Sequence, residues 1–131
     1  MFLELNIINI EHLYFHDIPV KSVNINCEDE EIELVLKLYN EEIGNYEIGY
    51  LLFKDVFELI FEHSEWLLNC DSIAIDRLIL EESIDDLYLC TIGFNISLSM
   101  TNIVKSGHGG SYFEIKLKFK NFYFKGKYNL L

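Results

Sequence analysis

The sequence predicts an all-β domain, an antiparallel sandwich or open barrel of about seven or eight strands. Apolar and polar residues alternate through most of the chain, which is the period of a strand with one buried face. Short polar turns separate these stretches, and proline occurs only once. Half of the residues are hydrophobic and 15% are aromatic, so the chain can build a core. With 131 residues and neither a linker nor an internal repeat, residues 1–131 are expected to form a single domain.

Four strands are predicted in the first half of the chain, and the last three of them should form a meander. The acidic run 28–31 and the polar turn 40–45 lie between alternating segments, as hairpin turns do. Between these two turns, Ile32, Leu34 and Leu36 occupy alternate positions and should face the core. The predicted strands span residues 2–8, 19–27, 32–39 and 46–53.

The segment 55–69 is compatible with two structures. Val56 and Ile60 lie at helical spacing, whereas Phe57 and Phe61 fit the alternation of a strand. Aromatic side chains favour a pleated surface, so we predict a strand that ends near Phe61. A helix in this segment, and with it an α+β fold, is the alternative.

The longest predicted strand, residues 87–104, contains no charged residue and has about the length of a membrane-spanning helix. Its apolar and polar residues nevertheless alternate, with Ile92, Phe94 and Ile96 on one face. This period indicates a strand with one buried face. Gly93 marks the position at which we expect a bend or a bulge.

Three further strands are predicted in the second half. The glycine-rich loop 105–111 indicates a hairpin and not a phosphate site, because no helix is expected after it. In the following strand, Phe113 and Ile115 should face inward, and Glu114 and Lys116 should face outward. The three strands span residues 72–80, 112–120 and 122–128.

The net charge is unevenly distributed along the chain. Residues 1–86 carry 21 acidic and 4 basic side chains, a charge of −17, and residues 87–131 carry 1 acidic and 6 basic side chains, a charge of +5; together they give −12. A strongly acidic surface repels nucleic acid and anionic membranes, and it attracts basic proteins. We therefore expect a protein partner, and neither nucleic acid nor a membrane.

The candidate binding residues are carboxylates in two acidic turns. Exposed charges in turns would speed the encounter with a basic partner. The alternative interpretation is that they serve only solubility. The candidates are Glu28, Asp29, Glu30, Glu31, Glu81, Glu82, Asp85 and Asp86.

His16 and Asp17 precede the second predicted strand, and we expect a structural role for them. Asp17 can accept main-chain amide hydrogen bonds at a turn, and His16 can hydrogen-bond to nearby main chain. On a helix, His12 and His16 would share one face and could bind a metal. Pro19 favours a turn into a strand, and no third ligand is near in sequence, which argues against a metal site.

No catalytic residue and no cofactor are predicted. His108 lacks an orienting partner, and neighbouring serines are not in a nucleophile-elbow motif. Lysines interleaved with aromatic residues near the carboxyl terminus resemble a nucleic-acid patch. Outward lysines also protect sheet edges and can face acidic strands of the same molecule, which is the interpretation we favour. They are Lys116, Lys118, Lys120, Lys125 and Lys127.

The cysteine pattern favours a reducing compartment. Cys27, Cys70 and Cys90 are odd in number and far apart, so neither a disulfide framework nor a zinc site is expected. The amino terminus lacks the positive region of a secretory signal. We expect a cytoplasmic protein with free thiols.

Residues 13–25, LYFHDIPVKSVNI, resemble the start of a group of small bacterial proteins with a His-Asp opening followed by a strand. Some of those proteins resemble immunity proteins of polymorphic toxin systems. The similarity extends to residues 52–56 and 110–115. The group usually has Ser after His-Asp, where this chain has Ile18, so a polar site residue is missing. The resemblance implies a β-rich binding protein that neutralises a toxin, and it implies no catalytic residue.

Three functions are therefore compared. The first is a non-enzymatic protein-binding domain, an immunity-type inhibitor whose acidic surface meets a basic toxin domain. The second is a small-molecule-binding β-barrel or a hydrolase, with a cavity lined by Tyr and Phe. The third is a homo-oligomer that closes an exposed sheet edge by self-pairing.

Overall fold

The structure, a computed structural model, describes residues 3–5, 15–62, 72–97 and 110–126. Within these ranges the chain forms nine strands and no helix, which confirms the all-β prediction. Each of the nine strands overlaps a predicted range, although the predicted total was about seven or eight. The strands are β1 (Leu3–Leu5), β2 (Val20–Asn26), β3 (Glu31–Asn40), β4 (Asn45–Lys54), β5 (Glu58–Glu62), β6 (Ser72–Glu82), β7 (Tyr88–Ser97), β8 (Gly110–Phe119) and β9 (Asn121–Lys125).

The strands form two antiparallel sheets that pack together. The five-stranded sheet has the order β1-β9-β4-β3-β2, and the four-stranded sheet has the order β5-β8-β7-β6. The chain passes from one sheet to the other between β4 and β5 and again between β8 and β9. The predicted meander is confirmed, since β2, β3 and β4 are neighbours joined by hairpins.

The core lies between the inward faces of the two sheets. Alternate residues of β3, β7 and β8 supply most of it, as the period of two requires. Phe53 stacks on Phe122 with ring centroids 4.5 Å apart, and it meets the edge of Phe119 at 5.0 Å. Phe94 is fully buried, as predicted for the longest strand.

Residues 58–62 form the edge strand β5, so the strand interpretation of this segment is confirmed and a helix over 55–62 is wrong. The Phe57 amide donates to the Lys118 carbonyl at 2.8 Å, and β5 then pairs with β8. Pairing with β8, which is distant in the sequence, determines the structure of this segment. The local periodicity of residues 55–62 does not reveal that pairing. Residues 63–69 lie outside the described ranges.

The expected bulge occurs in the strand that neighbours Gly93. The register shift lies between Ile75 and Arg77 of β6, so that Asp76 is the extra residue. β7 itself pairs continuously with β8 through Gly93 and Glu114. The prediction of a bend in β7 at this glycine is therefore corrected to a bulge in β6.

The described part of the chain contains no helix with the length and apolar character that crossing a membrane requires.

Several predicted features fall on residues that the structure does not describe. The predictions outside the described ranges concern residues 6–8, His12, Trp66, Cys70, residues 98–109 and residues 127–128.

Candidate functional site

The two predicted acidic turns lie at the same end of the sandwich. Antiparallel register places the turn at 27–30, which joins β2 to β3, at the end where β4 finishes. It also places the connection at 83–87 beside the end of β8, because Tyr88 pairs with Phe119. The two sheets are joined at this end, where the Lys120 amide donates to the Lys54 carbonyl at 3.3 Å. The topology therefore gathers carboxylates that are distant in sequence.

We call this surface the acidic end. Its carboxylates belong to turns and strand ends, and all of them are exposed. Asp55, in the connection between β4 and β5, joins the candidates that the sequence indicated. The acidic end comprises Glu28, Asp29, Glu30, Asp55, Glu81, Glu82, Asp85 and Asp86.

The first acidic turn has a defined local structure. The Asn26 side-chain amide donates to the Asp29 carboxylate at 2.8 Å, and the Asp29 amide donates back to the Asn26 side chain at 3.1 Å. Glu31 is half-buried, and its carboxylate lies 3.7 Å from Lys54 Nζ. Of the four predicted residues in this run, Glu31 is thus the one turned toward a lysine of the same chain. Glu28, Asp29 and Glu30 remain exposed.

The second acidic turn presents an apolar residue among its charges. Ile84 is 79% exposed, the highest value among the exposed large hydrophobic residues of the described chain. Asp85 and Asp86 have φ values of 63° and 61°, a region that Asp tolerates better than most residues. The Ser83 amide donates to the Leu87 carbonyl at 2.8 Å and closes the turn.

His16 and Asp17 connect the start of β2 to β6. His16 Nδ1 donates to the Asp76 carbonyl at 2.7 Å, and the Asp17 amide donates to the Ile75 carbonyl at 2.7 Å. The hydrogen bond to the Asp76 carbonyl raises the pKa of His16, and the carboxylates of Asp17 and Asp76 act in the same direction. The carboxylate of Asp17 lies 3.3 Å from His16 Nε2. Through their hydrogen bonds to Asp76 and Ile75 of β6, His16 and Asp17 connect the start of β2 in one sheet to the other sheet.

Sequence reasoning missed a cluster on the outer face of the four-stranded sheet. Arg77 Nη2 donates to Glu114 Oε2 at 2.6 Å, and the Tyr112 hydroxyl donates to the same oxygen at 3.0 Å. Gly93 separates Arg77 from Glu114 in the ladder, and a Cβ at this position would clash with the Tyr112 hydroxyl. The absence of a side chain at Gly93 is what allows Arg77 and Tyr112 to reach Glu114.

Electrostatics in this cluster follow from its hydrogen bonds. The bond from Arg77 lowers the pKa of Glu114, against the opposing effect of burial. The pKa of Tyr112 is raised by burial and by its bond to Glu114. Glu114 was assigned to the outward face correctly, but it is 5% exposed and not a solvated charge.

Two features of the sequence point to this cluster in retrospect. Arg77 is the only arginine of the chain, and Glu114 is the only acidic residue after residue 86. An isolated acidic residue in a basic stretch is a candidate for a specific ion pair, and a glycine in a strand allows close approach. Neither feature identifies the partner, because pairing across three strands depends on the register.

The lysines near the carboxyl terminus are distributed over both sheets. Lys116 Nζ lies 3.1 Å from the Glu62 carboxylate, and Lys120 Nζ lies 5.7 Å from the centroid of the Phe57 ring. Lys125 belongs to β9 of the other sheet, where its Nζ lies 5.7 Å from the centroid of the Tyr50 ring. The Lys116 contact agrees with the prediction that these lysines face acidic strands of the same molecule, whereas Lys120 and Lys125 lie beside aromatic rings.

Cys27 is exposed and Cys90 is buried, and both are free thiols. Burial raises the pKa of the Cys90 thiol, so it is a packing residue and not a nucleophile. The described ranges contain no cluster of three or more His, Cys, Asp or Glu residues suited to a metal ion.

A cavity of about 660 Å³ opens between the sheets along β2 and β5. Such a volume is typical of ligand sites in proteins. Much of its lining is apolar, and lysine and serine residues contribute the remainder. The apolar residues include Val23, Ile25, Ile32, Leu59, Phe61 and Ile115.

Comparisons with protein families, with curated proteins and with solved structures found no match for this chain.

Proposed function

We propose that this chain is a non-enzymatic protein-binding domain whose acidic end captures a basic partner, as an immunity-type inhibitor captures a toxin domain. The observation that carries this proposal is the convergence, at one end of the sandwich, of two acidic turns that begin at Glu28 and Glu81 and are therefore distant in the sequence. A concentrated patch of one sign focuses the electrostatic field and raises the rate of encounter with a partner of opposite sign.

Exposed apolar residues at the same end support a binding surface over a solvated one. Ile84 is 79% exposed and Phe57 is 58% exposed, and both lie in connections between strands at the acidic end. Protein interfaces commonly combine an apolar centre with a polar and charged rim. Charges that serve only solubility do not need apolar residues beside them.

The test compares two charge-matched variants. Glu28→Gln with Glu30→Gln removes two charges from the acidic end and keeps Asp29, which holds the turn through Asn26. Glu41→Gln with Glu42→Gln removes two exposed charges from the turn between β3 and β4, at the opposite end of the five-stranded sheet. Both variants change the net charge equally.

Association kinetics are measured by surface plasmon resonance with the product of the neighbouring gene. We expect the acidic-end variant to bind about three- to tenfold more slowly than the wild type at low salt, and the control to bind like the wild type. The difference should shrink as salt rises, because screening weakens steering. Equal on-rates for all three proteins at both salt concentrations would contradict the proposal.

Ile84→Ser should accelerate dissociation of the complex without changing the salt dependence of association, because the substitution removes an apolar contact and no charge.

A further inference from the structure

His16 lies where the edges of the two sheets meet. The Asp17 amide donates to the Ile75 carbonyl at 2.7 Å, and the Ile75 amide donates back to the Ile18 carbonyl at 2.9 Å. Pro19 continues this contact with an isolated bridge to β6. These backbone contacts join the segment that leads into β2, in one sheet, to β6 in the other sheet. We call this junction the seam.

The ring of His16 has an oxygen atom beside each of its nitrogens. Nδ1 lies 2.7 Å from the Asp76 carbonyl oxygen, and Nε2 lies 3.3 Å from the Asp17 carboxylate. A neutral imidazole carries one N–H, so it can donate to only one of these oxygens and turns a nitrogen lone pair toward the other. The imidazolium carries two N–H groups and donates to both. The geometry of the seam therefore suits the protonated ring.

Two carboxylates face this ring, one from each side of the seam. Asp17 precedes β2, and Asp76, the extra residue of the bulge in β6, places its carboxylate 3.9 Å from Nδ1. Asn95 donates to the Asp76 carboxylate at 3.1 Å and holds it in place, whereas Arg77, the next residue of β6, donates to a carboxylate of β8. The hydrogen bond to the Asp76 carbonyl, and with it the two carboxylates, raises the pKa of His16 against the opposing effect of desolvation.

We propose that His16 is a pH-sensitive latch, whose protonation closes the seam between β2 and β6 and whose deprotonation loosens it. The ring is 41% exposed, so it exchanges protons with the solvent directly. Pro19 and Ile73, which flank the seam, also line the cavity between the sheets, so the latch acts at one border of that cavity. The latch is separate from the acidic end, and it does not depend on capture of a protein partner.

The direction of the pH response follows from the native pKa of His16. This pKa is raised, so the contribution of the latch is fully present below the unfolded value of about 6.5. The contribution is lost as the pH rises through the native pKa. Mild acid should therefore tighten the seam, and mild alkali should loosen it.

Hydrogen exchange of the seam amides, followed by NMR from about pH 6 to about pH 8, tests the proposal. Protection factors, which correct for the intrinsic pH dependence of exchange, are determined for the amides of Asp17 and Ile75. We expect both to fall about threefold or more as the pH rises, with the same midpoint as the titration of the His16 ring.

The Val56 amide is the internal control for this measurement. It donates to the Glu30 carbonyl at 2.9 Å, beyond the opposite end of β2, and its protection should not follow the titration of His16. Seam amides whose protection is unchanged over this pH range, or falls only in parallel with that of Val56, would overturn the proposal.

A variant that cannot titrate separates the latch from other effects of pH. His16→Asn keeps a neutral donor close to the Asp76 carbonyl, so protection of the seam amides should become independent of pH. If the variant shows the same fall in protection as the wild type, another group controls the seam and the latch is refuted.

Two charge-matched variants test the contribution of Asp17. Asp17→Asn removes the carboxylate beside Nε2, and Asn tolerates the φ of 64° at this position. We expect the titration of the His16 ring and the fall in protection to move together to lower pH. Asp86→Asn removes the same charge from a residue with a φ of 61° in the second acidic turn, and both midpoints should stay at their wild-type values. Equal displacement in the two variants would indicate a general effect of net charge and would contradict the proposal.

Discussion

At the scale of single residues, Glu114 shows how this fold accommodates a buried charge. Its side chain is 7% exposed, and one of its oxygens accepts hydrogen bonds from Arg77 and Tyr112. A buried carboxylate without such donors would be strongly destabilising. Arg77 can reach it because Gly93, which lies between them in the ladder, has no side chain. The alternation of β8 predicted the face of Glu114, but only the register across three strands determines its burial.

Replacing Glu114 by Gln should destabilise the fold in a pH-dependent way. The native pKa of Glu114 lies below its ordinary value, so the ionised form contributes stability above about pH 4.5, and this contribution is lost as the pH falls through the native pKa. At pH 7 we expect a loss of about 1 kcal/mol, at the low end for charged hydrogen bonds because Arg77 is half exposed.

Urea melts of the wild type and of Glu114→Gln at several pH values measure this difference. The gap between the two proteins should close in acid. Glu62→Gln is the control, because the ion pair of Glu62 with Lys116 is partly exposed and should contribute little at any pH. A gap that persists unchanged at pH 3 would mean that the packing of this side chain matters, and not its charge.

At the scale of strands, alternation predicted the elements well where one face is buried. β3 and β7 were placed by this pattern, and their inward residues form the core. Alternation alone did not determine whether the segment of β5 forms a strand or a helix. Ile60 and Phe61 are both exposed, so this edge strand lacks a clear buried face. It also placed the irregularity on the wrong strand, since a bulge concerns a pair of strands and Gly93 is only one side of that pair.

Phe94 tests the assignment of β7 as the central strand of the core. The side chain is fully buried and packs against Phe113, with ring centroids 6.3 Å apart. Phe94→Ala should reduce the free energy of unfolding by about 3–5 kcal/mol, because it removes apolar burial and leaves a cavity. Ser97→Ala, at an exposed position of the same strand, should change it by less than about 0.5 kcal/mol. Denaturant melts give both values, and a loss below about 1 kcal/mol for Phe94→Ala would refute this packing.

At the scale of the whole molecule, the sequence indicates the acidic turns but not their common location. Each run was recognisable from its composition, whereas their convergence depends on how the two sheets are joined between β4 and β5 and between β8 and β9. Strand order was not deducible from local pattern, because alternation is the same in any arrangement of the strands. The position and the lining of the cavity were not deducible for the same reason, since the lining comes from both sheets and includes Phe61 but no Tyr.

The concentration of charge at the acidic end should make the stability of the protein depend on salt. Carboxylates gathered at one end repel one another, and this repulsion is screened over about 10 Å at 0.1 M salt. The melting temperature should therefore rise by roughly 2–5 °C between low and moderate sodium chloride. Glu81→Gln with Glu82→Gln should raise the low-salt melting temperature and reduce the gain from salt. Glu41→Gln with Glu42→Gln, in the turn at the opposite end, should change both quantities less, because it removes the same charge from a less crowded region.

Calorimetric scans of the wild type and the two variants along a salt series measure the effect. A melting temperature that falls as salt is added would mean that ion pairs such as Lys116 with Glu62 outweigh the repulsion, and that the acidic turns lie too far apart to act as one surface.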